Sequence, residues 1–131
     1  MKNKTICIID DEEIIQFIVK TIINNLDNEI SILSYKNGEE ALTSFKNTDD
    51  ENLPDIILLD INMPVMGGWQ FLDEFIKLKS KIRKKISIYI LSSSTAPGDK
   101  IRSKVYKDII GYINKPIEAD TLKKIAQLEL G

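Results

Sequence analysis

Two aspartates close one hydrophobic run, Ile6-Cys7-Ile8-Ile9-Asp10-Asp11, and a single aspartate closes another, Ile56-Ile57-Leu58-Leu59-Asp60. Carboxylates gathered at one place repel one another unless positive charge sits among them, and the two candidates are a hard divalent cation and a lysine. Lys115 ends a third short run, Ile109-Ile110-Gly111-Tyr112-Ile113-Asn114-Lys115-Pro116. Oxygen ligands without His or Cys select magnesium or manganese over transition metals, and magnesium, which keeps several waters, takes few carboxylates. Asp11 and Asp60 are the expected direct ligands. An aspartate facing a metal and an ammonium group stays ionised and can attack phosphorus to give an acyl phosphate. Phosphoryl transfer asks the protein mainly for alignment and for positive charge on the equatorial oxygens. The cation and Lys115 provide that charge, and the hydroxyl of Ser92, after the apolar run Ile86 to Leu91, donates to a third oxygen. No catalytic base is required.

These residues can meet only if the elements carrying them end at one place. Strand-like runs start near residues 5, 30, 55, 86 and 109, and the segments between them repeat their apolar residues at three and four rather than two. The pattern is strand-helix, five times. Ile15, Ile18 or Val19, Ile22 and Leu26 form the first helical stripe, with Asp11 to Glu13 at the end where the helix dipole favours negative charge. Asn37 stands three residues before Glu40 in a capping pattern, followed by the apolar face Ala41, Leu42 and Phe45. Residues 47–54 read as a polar loop. Gly67-Gly68 reads as a tight loop rather than a phosphate cradle, since no P-loop pattern follows, and Trp69, Leu72, Phe75 and Ile76 give the third helix its apolar face. Pro97-Gly98-Asp99 opens a fourth helix with Ile101 and Val105 inward, and Leu122, Ile125 and Leu128 mark a fifth. Alternation at this spacing implies a parallel sheet with right-handed crossovers and helices on both faces. Asp10, Asp11, Asp60, Ser92 and Lys115 then all terminate strands at one edge.

Composition narrows the chemistry. A length of 131 residues with 43% hydrophobic content suits one domain with one core. No apolar stretch approaches the length of a bilayer span, and the opening before Asp10 is too short for a signal peptide, so a cytoplasmic location without membrane insertion is expected. Cys7, the one cysteine, falls inside a strand pattern and reads as inert core. The absence of histidine removes His-based triads, zinc sites of the usual composition and any role as a phosphohistidine donor. Residues 1–76 carry 15 acids against 5 bases and residues 77–131 carry 13 bases against 5 acids. The basic run Lys77, Lys79, Lys81, Arg83, Lys84 and Lys85 lacks interleaved aromatics, so it reads as a solvated helix end and loop, with no direct nucleic-acid contact.

Asp10-Asp11, Asp60 within Leu59-Asp60-Ile61-Asn62-Met63-Pro64, Ser92 after its strand and Lys115-Pro116 resemble the receiver domain of two-component response regulators, over roughly residues 4 to 130. The resemblance implies a flavodoxin-like (βα)5 doubly wound fold with strand order 2-1-3-4-5. In it Asp60 takes phosphate from the phosphohistidine of a sensor histidine kinase or a histidine phosphotransfer protein. It also implies that Asp11 and Asp60, with the backbone carbonyl of Asn62, bind magnesium, that Asp10 acts through water, and that the Lys115-Pro116 bond is cis. Ser92 and Tyr112 become the switch pair: the hydroxyl moves toward the phosphoryl group and the ring turns inward. Serine at 92 instead of the commoner threonine removes a methyl and loosens that coupling. Asn62 and Ser94, polar and modest in size, predict a short-lived acyl phosphate.

The 131 residues are expected to form a single receiver of the chemotaxis or phosphorelay type, with no output domain, acting through an unnamed downstream protein; an excised receiver is the other reading. The protein is then not a conventional enzyme, though it catalyses its own phosphorylation and slow dephosphorylation. Homodimerisation through the fourth helix, fifth strand and fifth helix is one use of that face, and the charges Lys100, Arg102, Lys104 and Lys107 equally suit partner binding. Two alternatives stand beside this reading. One is a phosphorylation-independent adaptor, which the complete acid, hydroxyl and lysine set argues against. The other is a small magnesium-dependent aspartyl-phosphate phosphatase, whose usual second aspartate is replaced by Asn62.

Overall fold

A computed structural model of the chain describes residues 4–26, 29–61, 63, 66–79, 81–82, 84–92, 106 and 108–130. Five strands, β1 (Thr5–Ile9), β2 (Ser31–Tyr35), β3 (Ile56–Asp60), β4 (Ser87–Ser92) and β5 (Ile109–Asn114), lie parallel in the order β2-β1-β3-β4-β5. Helices α1 (Glu13–Leu26), α2 (Gly38–Lys46), α3 (Gly68–Lys79) and α4 (Ala119–Leu130) connect or follow them. The expected helix over Ile101 and Val105 falls outside the described residues, as do the charges at 100, 102, 104 and 107.

Both faces of the sheet are covered, which is why the inner strands read as unbroken apolar runs rather than alternating ones. Cys7, Ile9, Ile57, Leu59, Ile88 and Ile90 pack with Ala41, Leu42 and Phe45 of α2 and Phe71, Leu72 and Phe75 of α3. Ile6, Ile8, Ile56, Leu58, Leu91 and Ile113 pack with Ile15, Val19 and Ile23 of α1 and Leu122 and Ile125 of α4. Cys7 is fully buried, and burial pushes its thiol above the ordinary range, as an inert core residue requires. Asn37 caps α2 by accepting from the Glu40 N–H at 2.9 Å.

Three helical faces differ from expectation at their margins. In α1 the third buried residue is Ile23, while Leu26 is exposed. Fourteen helical residues run about 21 Å against about 17 Å for a five-residue strand, so the last turn overhangs the sheet. In α3, Ile76 faces outward, while Leu72 and Phe75 are buried as expected, together with Phe71, an aromatic whose type already suited the core. In α4, Leu128 is exposed because the inward position one turn after Ile125 belongs to Glu129, which accepts from Ser87 Oγ at 2.6 Å and Tyr89 Oη at 3.1 Å. The loop at residues 47–54 holds a short 3-10 turn, Asp50–Asn52, followed by buried Leu53.

The basic run is not simply a solvated surface. Lys79 pairs with Asp108, and Lys84 lies 3.2 Å from Asp55 Oδ1 while donating to the Leu53 carbonyl at 2.6 Å. These two lysines are struts between loops, whereas Lys77 makes a surface pair with Glu74. No described helix is long and apolar enough to cross a membrane.

Candidate functional site

Parallel strands deliver their carboxyl ends to one edge, and four of the expected residues arrive there buried or nearly so. Asp10 follows β1 and is fully buried, Asp60 ends β3 at 3% exposure, and Ser92 ends β4 with none. Lys115 follows β5, its backbone N–H donating to the Ser92 carbonyl at 2.9 Å, and its peptide bond to Pro116 is cis. Its side chain, 8% exposed, places Nζ 2.9 Å from Asp10 Oδ2, 3.0 Å from Glu12 Oε1 and 3.6 Å from Asp60 Oδ2.

Asp10 is locked in place from several directions. Its N–H donates to the Tyr35 carbonyl at 3.1 Å, and its Oδ1 accepts from the Glu12 N–H at 2.9 Å. Gln16 Nε2 donates to the carbonyls of both Asp10 (2.8 Å) and Tyr35 (3.0 Å), tying the ends of β1 and β2 together. The other oxygen, Oδ2, accepts no well-angled hydrogen bond among the described residues and meets Lys115 as an ion pair. Burial pushes the Asp10 carboxyl above its usual range, against the pull of the Lys115 ammonium and the Glu12 N–H. For Lys115, burial works to lower the pKa, but the contacts with Asp10 and Glu12 and the attraction of Asp10 and Asp60 together raise it. The lysine is therefore held charged.

Carboxylate oxygens of Asp10, Glu12 and Asp60 all lie within 4.8 Å of one another. At an effective dielectric near 20, two buried carboxylates at about that separation repel by about 3 kcal/mol. With all three carboxylates ionised, they and the one ammonium among the described residues leave two negative charges, which a divalent cation would neutralise. An all-oxygen donor set, together with the Asp10 Oδ2 lone pair, fits a hard cation such as Mg2+.

The expected ligand set and the acidic cluster overlap in part. Asp10 and Asp60 are in the cluster. Asp11 is exposed and is not one of the three acids of that group. Asn62 and Ser94 lie outside the described residues. Tyr112 is half-buried on β5, in register with Ile90, and packs with the core that faces α2 and α3. Glu12 and Gln16 were not anticipated as site residues. Glu12 could be read only as favourable charge at a helix start, since nothing local says that it reaches a lysine 103 residues away. Gln16 carries no signal at all in the sequence.

The loop after β3 is shaped by close approach. A Cβ on Gly68 would stand 2.6 Å from the Ile61 Cα and 2.9 Å from the Asp60 carbonyl, so glycine is what lets α3 begin against Asp60. Met66, earlier in that loop, adopts a left-handed backbone with φ of 53°.

Fold and site together define a doubly wound α/β class with an aspartate, a lysine and a serine at the carboxyl ends of neighbouring strands. The response regulator receiver domain family matches residues 6–127, and the chain belongs to that family. The chemotaxis protein CheY of Listeria monocytogenes is 34% identical over 113 residues, covering 86% of this chain and 87% of that protein. The sensor histidine kinase CheAY of Helicobacter pylori is 31% identical over 119 residues, covering 91% of this chain. The chain spans only 14% of that kinase's length. A two-component response regulator from Cytophaga hutchinsonii superposes with a TM-score of 0.86 at 29% identity, covering 99% of this chain and 98% of that one. Phosphorylation on aspartate is the general function of receiver domains, which bind Mg2+ through an acidic pocket.

Proposed function

We propose that this chain is a phosphorylation-switched receiver in which Asp60 accepts a phosphoryl group from the phosphohistidine of a sensor histidine kinase or histidine phosphotransfer protein. The observation that carries the reading is the placement of the Asp60 carboxylate, at 3% exposure, beside a charged lysine 3.6 Å away and a second buried carboxylate. Asp60 attacks phosphorus as the phosphorus–nitrogen bond of the donor breaks, the electron pair staying on the leaving imidazole nitrogen. Lys115 stabilises the charge on the equatorial oxygens, and the Ser92 hydroxyl donates to one of them. Asp10 and Asp60 would hold a divalent cation, Mg2+ or Mn2+, with Glu12 beside them on Lys115 and with Asp11 and the Asn62 carbonyl as the ligands the family pattern adds. When bound, that cation neutralises charge on the transferring group.

The acyl phosphate then biases a two-state element in which Ser92 and Tyr112 move together, and the altered surface binds a downstream protein. The chain acts as a single receiver unit with a cytoplasmic location, and self-association on the β5 and α4 side belongs to the same reading. Support for that surface comes from Ile110 and Leu128, both exposed apolar residues.

Intact mass after incubation with acetyl phosphate tests the chemistry. One phosphate-sized increase is expected that requires both Mg2+ and Asp60, and Asp60→Asn abolishes it with the fold intact. No increase in the native protein, from acetyl phosphate or from a phosphohistidine donor, would sink the reading and favour a phosphorylation-independent adaptor.

A further inference from the structure

Glu12 sits where β1 gives way to α1. Its N–H donates to Asp10 Oδ1, and its carbonyl accepts from the Gln16 N–H at 3.2 Å, which makes it the residue that caps α1. Cap positions favour Ser, Thr, Asp and Asn, whose short side chains fold back onto the free N–H groups of the first turn. Here the side chain reaches away from its own helix instead, to Lys115 Nζ at 3.0 Å. The ammonium thus makes two short contacts, to Asp10 and Glu12, and a longer one of 3.6 Å to Asp60. Burial runs in a gradient across its three partners: side-chain exposure is 0% for Asp10, 4% for Asp60 and 53% for Glu12.

We propose that Glu12 is a positioning residue that draws Lys115 outward and holds its ammonium off Asp60. An ammonium and a divalent cation compete for the same carboxylates. Asp60 is far better shielded from water than Glu12, so a lysine released from Glu12 would close onto Asp60, where attraction is stronger. The phosphoacceptor would then carry a tight ion pair that a cation must displace. Glu12 is suited to holding the lysine loosely, because a half-exposed carboxylate is rehydrated at little cost when the ammonium leaves it for a phosphoryl oxygen. Asp10, fully buried and fixed through its other oxygen, keeps the lysine in place through the exchange.

The inference rests on the phosphoacceptor reading for its purpose, but its test does not need a phosphodonor. Mg2+ is titrated by amide NMR shifts into the native protein, Glu12→Gln and Glu13→Gln, and then into Lys115→Met with and without Glu12→Gln. Thermal melts confirm that each variant is folded. Glu12→Gln is expected to weaken Mg2+ binding three- to tenfold and to slow acetyl phosphate uptake at limiting Mg2+ by a similar factor. Glu13→Gln, which removes the same charge from the first turn of α1, should change either quantity less than twofold. In the Lys115→Met background the effect of Glu12→Gln should shrink below twofold, since no ammonium remains to be held back. Unchanged or tighter binding in Glu12→Gln overturns the inference. So does an equal loss in the Lys115→Met background, which would make Glu12 a direct partner of the cation. A native protein that binds Mg2+ yet takes up no phosphoryl group sinks the phosphoacceptor reading alone, whereas one with no measurable Mg2+ affinity overturns both.

Discussion

The two ends of the sheet each hold a lysine among acids, and they are built on opposite principles. At the amino end, Asp55 and Lys84 are matched one to one, 3.2 Å apart. Asp55 Oδ2 also accepts from the Thr5 N–H at 2.8 Å, and Lys84 donates to the carbonyls of Leu53 at 2.6 Å and Glu51 at 3.4 Å. At the carboxyl end, among the described residues, one lysine faces three acids, and a fully buried oxygen of Asp10 is left without a well-angled hydrogen bond. The first arrangement is neutral and its donors and acceptors are satisfied, so it holds loops together and asks for nothing. The second carries surplus negative charge at a largely buried place, a cost that a bound cation would offset. Charge imbalance under burial, rather than the presence of ion pairs, separates the site from the scaffold.

The contrast breaks most sharply at Asp60. Asp60→Asn is expected to abolish phosphoryl uptake and weaken Mg2+ binding while raising the melting temperature in cation-free buffer, because one of the crowded charges is gone. Calorimetry with and without a chelator reads the stability arm. An equal or lower cation-free melting temperature would show that the cluster carries no net repulsion.

Lysine removal distinguishes the ends next. Lys115→Met should slow phosphoryl uptake about 100-fold. It should also destabilise the protein chiefly in the absence of divalent cation, with Mg2+ at a hundred times its Kd returning about 2.7 kcal/mol. Lys84→Met should cost about 1–2 kcal/mol by denaturant unfolding, equally with and without the variant's Mg2+, since its partners are structural and partly exposed. A Mg2+-dependent loss at Lys84 would erase the distinction between the ends.

Gly68→Ala sharpens the geometry next to Asp60. The added methyl meets backbone at 2.6 and 2.9 Å, so α3 must shift, at about 1–3 kcal/mol. Reduced phosphoryl uptake should accompany the lower denaturant midpoint. Full activity at full stability would mean that the loop gives way freely.

The smallest effect lies in a third polar cluster, where Tyr89 meets Glu129. Burial, the hydrogen bond to Glu129 and the nearby negative charge push the Tyr89 hydroxyl from 10.0 up to about 12. A phenol whose folded pKa is raised contributes stability that is complete below pH 10.0 and lost as pH climbs through about 12. Ultraviolet titration should therefore show Tyr89 ionising late, and Tyr89→Phe should remove that late phase along with part of the alkaline loss of stability.

Much of this was legible before the fold. The apolar runs Ile6 to Ile9, Ile56 to Leu59 and Ile86 to Leu91 could only be doubly covered strands, and the helical spacing between them made the sheet parallel. Asp10, Asp60 and Lys115 do meet, and Ser92 ends the strand beside them. The errors fell on residues whose partners are remote. Leu26 and Leu128 fit an apolar period yet face outward, because helix overhang and the inward Glu129 are matters of packing. Lys79 and Lys84 looked like solvated charge until Asp108 and Asp55 were brought beside them.

Local periodicity and chain direction alone determined the class of fold, the edge at which the site lies and most of the residues in it. A strand's carboxyl end is fixed by where its apolar run stops, and parallel strands share an edge by topology. Only the tertiary structure decided how charge is shared there: that Glu12 joins Asp10 and Asp60, that Lys115 stands nearer to Asp10 and Glu12 than to Asp60, and that Gln16 pins the strand ends. Side-chain reach of a few ångströms between residues a hundred positions apart leaves no mark on sequence spacing, because such distances are set by the packing of whole elements.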